Sequence, residues 1–186
     1  MVAADEQGAA NAGGKVTARQ IEAAARIEVQ ARDIDSQSLL NELDQLCLQY
    51  DSLRRSLPSG PERTGAMTGV LIKMRSLAPS LVGHIDAYKG SGSPGSRLAA
   101  IAMMQMVPRV ADLDWLKERF SSEHPFVFYH AALALQNVAN NSDTLEKERH
   151  LRKVTEEALA IVKGFSGPPD RNTIQILDTL ISTLAA

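Results

Sequence analysis

A single cysteine, Cys47, rules out an intrachain disulfide and any cysteine-rich zinc site. Aromatic residues are only 4% of a chain that is 44% hydrophobic. The core must therefore be built from Leu, Ala, Ile, Val and Met, a palette that favours helices over strands. No run of about 18 apolar residues occurs, so the sequence offers no membrane-spanning helix. Neither charge sign dominates: 20 Lys and Arg face 22 Asp and Glu. Such a balance gives no general pull toward nucleic acid or an anionic membrane. The N-terminal MVAADEQGAANAGGK is small and polar and lacks the apolar core of a secretory signal. Residues 1–16 are expected to be a leader or linker of a cytoplasmic protein.

What is present is helical periodicity. Thr17 fits an N-cap, and Ile21, Ala24, Ile27, Ala31 and Ile34 follow at spacings of three and four. RIEVQARDID also alternates, so a strand competes there, and Asp33, Asp35, Ser36 and Ser38 can break or re-cap the helix. Leu39, Leu43, Leu46, Tyr50, Leu53 and Leu57 then form an a/d seam. A second run, Met67, Leu71, Met74, Leu77, Leu81, Ile85 and Tyr88, is the complementary stripe. Pro79 is expected to split it into one helix ending near Leu77 and another from Pro79 to Tyr88.

The corner between the two runs, SLPSGPERTG, has two readings. As a helix junction, Pro58 stops the first helix, and Ser59 with Glu62 makes a capping box. Pro61 then sits in the first turn, where its missing N–H costs nothing. As an anion site, Arg63 and Thr64 at a helix start, with Lys73 and Arg97, would hold a small anion or nucleotide. The Walker spacing and its preceding strand are both missing, which favours the junction. A junction this short makes the helices antiparallel neighbours. Residues 17–56 hold seven acids against five arginines, net −2, and residues 62–89 hold two acids against four cations, net +2.

Residues 90–96 read as a flexible linker between a hairpin region, 17–89, and a second helical region, 97–186. There Ser96 can cap SRLAAIAMMQMV, which Pro108 limits, and ADLDWLKERF carries Leu113, Leu116 and Phe120 on one side. PFVFYHAALALQNVANN is apolar nearly all round, the mark of a helix enclosed by neighbours. Ser142 or Asp143 would cap the next helix, with Leu151, Val154, Ala158, Ile161 and Phe165 inward, ended by Gly164, Gly167, Pro168 and Pro169. The last helix starts near Asp170 and carries Ile174, Leu177, Ile181 and Leu184. The fold class is all-α: an antiparallel hairpin followed by a HEAT- or armadillo-like array, or a compact bundle.

Chemistry is sparse. The sequence holds no HExxH, no EF-hand loop and no GxGxxG after a strand, and no cofactor or metal is expected. Cys47 reads as buried filler, Glu146 with His150 and Glu148 with Arg152 as i, i+4 pairs, and Met103, Met104 and Met106 as core filling. Asp112 and Asp114 suit a helix start, and a catalytic carboxylate pair is the rival reading.

Two stretches resemble known helical modules. LDQLCLQYDSLRRSLPSGPERTGAMTGVLIKMRSLAP is similar to hairpins that accompany TIR, protease-like or STAND/NACHT-type ATPase domains in bacterial conflict systems. SRLAAIAMMQMVPRVADLDWLKERFSSEHPFVFYHAALALQNVA resembles the HEAT-like segment that often follows. The resemblance implies a non-catalytic accessory domain that senses, regulates or docks for an antiphage effector. Its surfaces would meet a protein partner, an effector domain or a second copy, with Leu39, Leu43, Leu46, Tyr50, Leu53, Met67, Leu71 and Met74 as the packing or interaction seam. A ligand sensor and a small helical enzyme are the alternatives.

Overall fold

The computed structural model describes residues 16–30, 36–141, 144–167 and 170–185, with the side chains of 28–30 left aside. Among the described residues every regular element is helical and none is a strand. Residues 1–15 of the leader, Ala31, Asp33, Ile34, Asp35, Ser142, Asp143, Pro168 and Pro169 lie outside them. The chain divides into two compact units, Met1–Val107 and Pro108–Ala186.

Unit 1 holds α1 (Ala18–Gln30), α2 (Ser36–Ser56), α3 (Pro61–Leu81), a short α4 (Ile85–Lys89) and α5 (Pro94–Met106). Helix α3 is its centre, packing on α1, α2 and α5, while α2 also packs on α5 and α4 on α5. The seam explains this arrangement. Leu39, Leu43, Leu46 and Tyr50 are buried from α2, and Met67, Leu71, Met74 and Leu77 from α3. Leu53, near the end of α2, and Leu57, just past it, are only half-buried.

Unit 2 holds α6 (Leu113–Ser122), α7 (Pro125–Ala139), α8 (Leu145–Lys163) and α9 (Arg171–Thr183). Helices α6 and α7 form one hairpin and α8 and α9 another. The hairpins stack with α6 on α8 and α7 on α9. Helix α7, expected to be enclosed, buries Val127, Phe128, Ala131, Leu135 and Val138.

Several local expectations are corrected. Helix α3 runs through Pro79 to Leu81, and the break falls at the 3-10 turn Val82–His84. A proline removes one donor, but the helix gives way only at Gly83, a residue poor in helix propensity. The Ser59–Glu62 capping box does not form. Gly60 is the N-cap of α3, at φ 157° and ψ −179°, a conformation open to glycine alone. Helix α5 is capped by Ser93, whose Oγ accepts from the Ser96 amide, with Pro94 at the first helical position. Thr144 caps α8 and Asp170 caps α9.

The stretch 90–96 is a tied corner, and the division between units falls after Val107. Ile21 is 56% exposed, because α1 turns Gln20 and Ala24 toward α3 instead. Phe165 is 39% exposed, lying past the last turn of α8, although its ring still meets Phe128 edge-on at 5.6 Å.

Candidate functional site

The packing seam lies in the interior. Leu43 is 1% exposed and Leu71 and Met74 are fully covered, so these residues hold α2 to α3 and α5 and offer nothing to a partner. The Cys47 side of α2 is covered too, and at unusually close range. A Cβ built on Gly95 would stand 2.2 Å from the Cys47 carbonyl oxygen. Only glycine lets α5 lie this close to the α2 backbone. Burial in that contact pushes the Cys47 thiol up to about 12, and Asp44 and Asp51 push in the same direction. A thiol held protonated is a packing group and a poor nucleophile.

Two acids of α2 fix the corner that leads into α5. Asp44 and Asp51 are seven residues apart and share a helix face. The Tyr88 hydroxyl donates to Asp44 at 2.8 Å. Asp51 accepts from the Ser93 hydroxyl at 2.6 Å through one oxygen and from the Gly95 amide at 2.8 Å through the other. Ser93 in turn caps α5, so the carboxylate of Asp51 orients the residue that starts the next helix. Burial, then the bond to Asp44, raises the Tyr88 phenol well above its ordinary range.

The second tie is a buried arginine. Arg75 of α3 is fully covered. Its Nε donates to Gln105 Oε1 of α5 at 2.7 Å, and its Nη1 reaches Gln20 Oε1 of α1 at 3.5 Å. Gln20 also completes the α1 cap: the Thr17 amide donates to Oε1 at 3.1 Å, and the Gln20 amide donates to Thr17 Oγ1 at 3.3 Å. The capping box that the sequence suggested at Ser59 occurs here instead.

The two arginines of the expected anion site each bond within a corner of the chain. Arg63 Nη1 donates to the Leu57 carbonyl at 3.2 Å, and Nη2 donates to the Ser59 hydroxyl. The guanidinium thus staples the 57–63 corner. Arg97 Nη1 donates to the Ser91 carbonyl at 3.1 Å, at the other corner. Thr64 is half-buried. Lys73 is exposed, ten residues along α3 from Arg63, a rise of about 15 Å.

In unit 2, Asp112 and Asp114 have separate fates. Asp112 is buried beside Arg109 at 3.1 Å, whereas Asp114 is exposed and meets Lys117 at 3.6 Å and His150 at 3.3 Å. His150 therefore faces α6 across the helix pair. Arg152 turns forward to Glu156 at 2.9 Å. Lys117 also meets Glu157 at 2.8 Å, a bond that raises the lysine and lowers the carboxyl. Arg119 stacks over Trp115 at 4.4 Å and reaches the buried Glu123 at 3.6 Å. Met103 and Met104 are fully covered core residues and Met106 is half-buried. Among the described residues there is no group of three or more His, Cys, Asp or Glu able to hold a metal ion, and no helix long and apolar enough to cross a membrane.

Arg75, Gln20, Asp44 and Asp51 escaped the sequence reading. An arginine in KMRSLA looks solvated, and its burial is visible only once α1 and α5 are in place. The heptad spacing of Asp44 and Asp51 was the one available signal. The class defined so far is an all-α module of two helical units. No family model, curated protein or solved structure matches the chain.

Proposed function

We propose that this chain is a non-catalytic helical interaction module, docking or sensing for a bacterial defence-type effector in the cytoplasm. The reading is carried by the stacked hairpins of unit 2. Layers of paired helices present broad, rigid faces, and helical-repeat proteins use such faces to hold partners. The solvated α8 face, with Arg149, Arg152, Lys153 and Glu156, is the polar surface such a partner would meet. Its mixed signs suit protein over nucleic acid. The similarity of the 39–165 stretch to accessory segments of TIR, protease-like and ATPase proteins supplies the kind of partner.

Co-expression with effector domains encoded beside its gene, followed by light scattering on the eluted species, tests this reading. A stoichiometric complex weakened by Lys153→Glu, with thermal stability unchanged, is the expected result. A chain that stays monomeric beside every such domain, with effector activity the same in its presence and absence, contradicts it. A mass of two chains alone would assign the surface to a second copy.

A further inference from the structure

We propose that α1 is a displaceable strap, released as a unit to uncover the Arg75–Gln105 pair. The inference concerns α1 and its seat on α3 and does not depend on which partner the module takes. Three observations carry it.

Helix α1 has one strong neighbour, α3, whereas α2, α3 and α5 each pack on at least two helices. Of its described side chains only Ala24, 2% exposed, and Gln20, 7%, are buried; Ala23 and Ile27 are half-buried and Ile21 points to solvent. One methyl, one amide and two half-covered side chains are a small apolar contact for a helix of this length. A helix of 13 residues is also marginal without its seat.

What lies beneath is a guanidinium. Covering a charged group costs its hydration, and the bonds it gains must first offset that loss. The bond from α1 to Arg75 is longer than the bond to Gln105, 3.5 Å against 2.7 Å. Release of α1 breaks the longer bond and leaves the bond to Gln105 of α5 in place.

Gln20 couples seat to fold. The same Oε1 accepts from the Thr17 amide and from Arg75. Undocking and fraying of the α1 N-terminus are therefore linked events, so the helix comes off cooperatively. The uncovered guanidinium selects an acceptor-rich group, and a carboxylate binds it more strongly than the amide oxygen it replaces.

Hydrogen exchange on the full chain, read by mass spectrometry or NMR, tests the strap. Amides of residues 22–27 are expected to exchange at least about tenfold faster than those of 68–77 in α3, through an opening that leaves α3 and α5 protected. Gln20→Ala should accelerate α1 exchange further while α2, α3 and α5 keep their rates. Equal protection of α1 and α3 in the natural sequence overturns the proposal. So does a Gln20→Ala chain in which α3 and α5 loosen in step with α1. Should that variant fail to fold, the comparison within the natural sequence still decides.

Discussion

In unit 1 the apolar seam is joined by polar ties between distant parts of the chain, buried at Arg75 and half-buried at the corner into α5. Asp51 holds Ser93 and Gly95, Asp44 holds Tyr88, and Arg75 holds Gln105 and Gln20. In unit 2 the interior contacts are apolar and aromatic, with Phe120 and Phe128 at 6.2 Å and Phe165 against Phe128. Most polar links between its helices lie at the surface, among Asp114, Lys117, His150 and Glu157. The difference teaches where each unit is vulnerable. Where a polar tie is buried, as at Arg75, deleting one partner leaves the other short of a replacement for water. Exposed ion pairs are screened and contribute little. Apolar interiors fail by losing volume.

The comparison can be broken from either side. Phe128 is fully covered, and Phe128→Ala should lower unfolding free energy by about 4 kcal/mol, measured by urea titration followed through Trp115 of unit 2. A loss under about 1 kcal/mol would remove the aromatic account of unit 2. Gly95→Ala should cost about 3 kcal/mol despite alanine's better helix propensity, because the new methyl meets the Cys47 carbonyl. Circular dichroism in urea reads it, and a neutral result would mean that α2 and α5 separate easily.

Alkaline pH sharpens the contrast further. The folded Cys47 thiol titrates at about 12 against 9.0 for an ordinary one. The folded state therefore keeps a proton that the unfolded chain releases. The stability this supplies is complete below pH 9 and is lost as pH rises toward about 12. The slope is about 1.4 kcal/mol per pH unit for one group, and Cys47→Ala should flatten the pH profile by that amount. Tyr88, also raised, acts in the same sense. Smallest is Gly69→Ala, on the exposed side of α3, where a Cβ meets nothing within 4 Å. It should stabilise by about 0.7 kcal/mol through helix propensity and a more restricted unfolded chain. The opposite signs expected at Gly69 and Gly95 separate helix propensity from helix contact.

The helices were readable in advance wherever one face had to be apolar. The Leu39–Tyr50 seam, its Met67–Leu77 counterpart and the enclosed α7 all follow from spacing. Local rules failed where two of them competed for one segment. SGPERT satisfies the capping-box pattern, yet Pro61 fixes the entry and Gly60 takes the cap. KGSGSPGS has the composition of a linker, yet Ser93 and Gly95 are held by an acid 42 and 44 residues upstream. Composition reports what a segment can do alone, and that acid is invisible from within the segment. Expected i, i+4 pairs such as Glu146–His150 gave way to Asp114, because α6 and α8 lie side by side. The anion-site residues were grouped by charge, and the fold spends Arg63 and Arg97 on separate corners.

The claim that polar ties between distant residues lock unit 1 is tested most directly by a double-mutant cycle on Asp51 and Ser93. Asp51→Ala, Ser93→Ala and the pair are unfolded in urea, and the coupling is taken from the four free energies. The bond of 2.6 Å between them predicts a coupling of about 1.5 kcal/mol in favour of the intact pair. A coupling indistinguishable from zero, with each single change costing what the pair costs elsewhere on the surface, would contradict it.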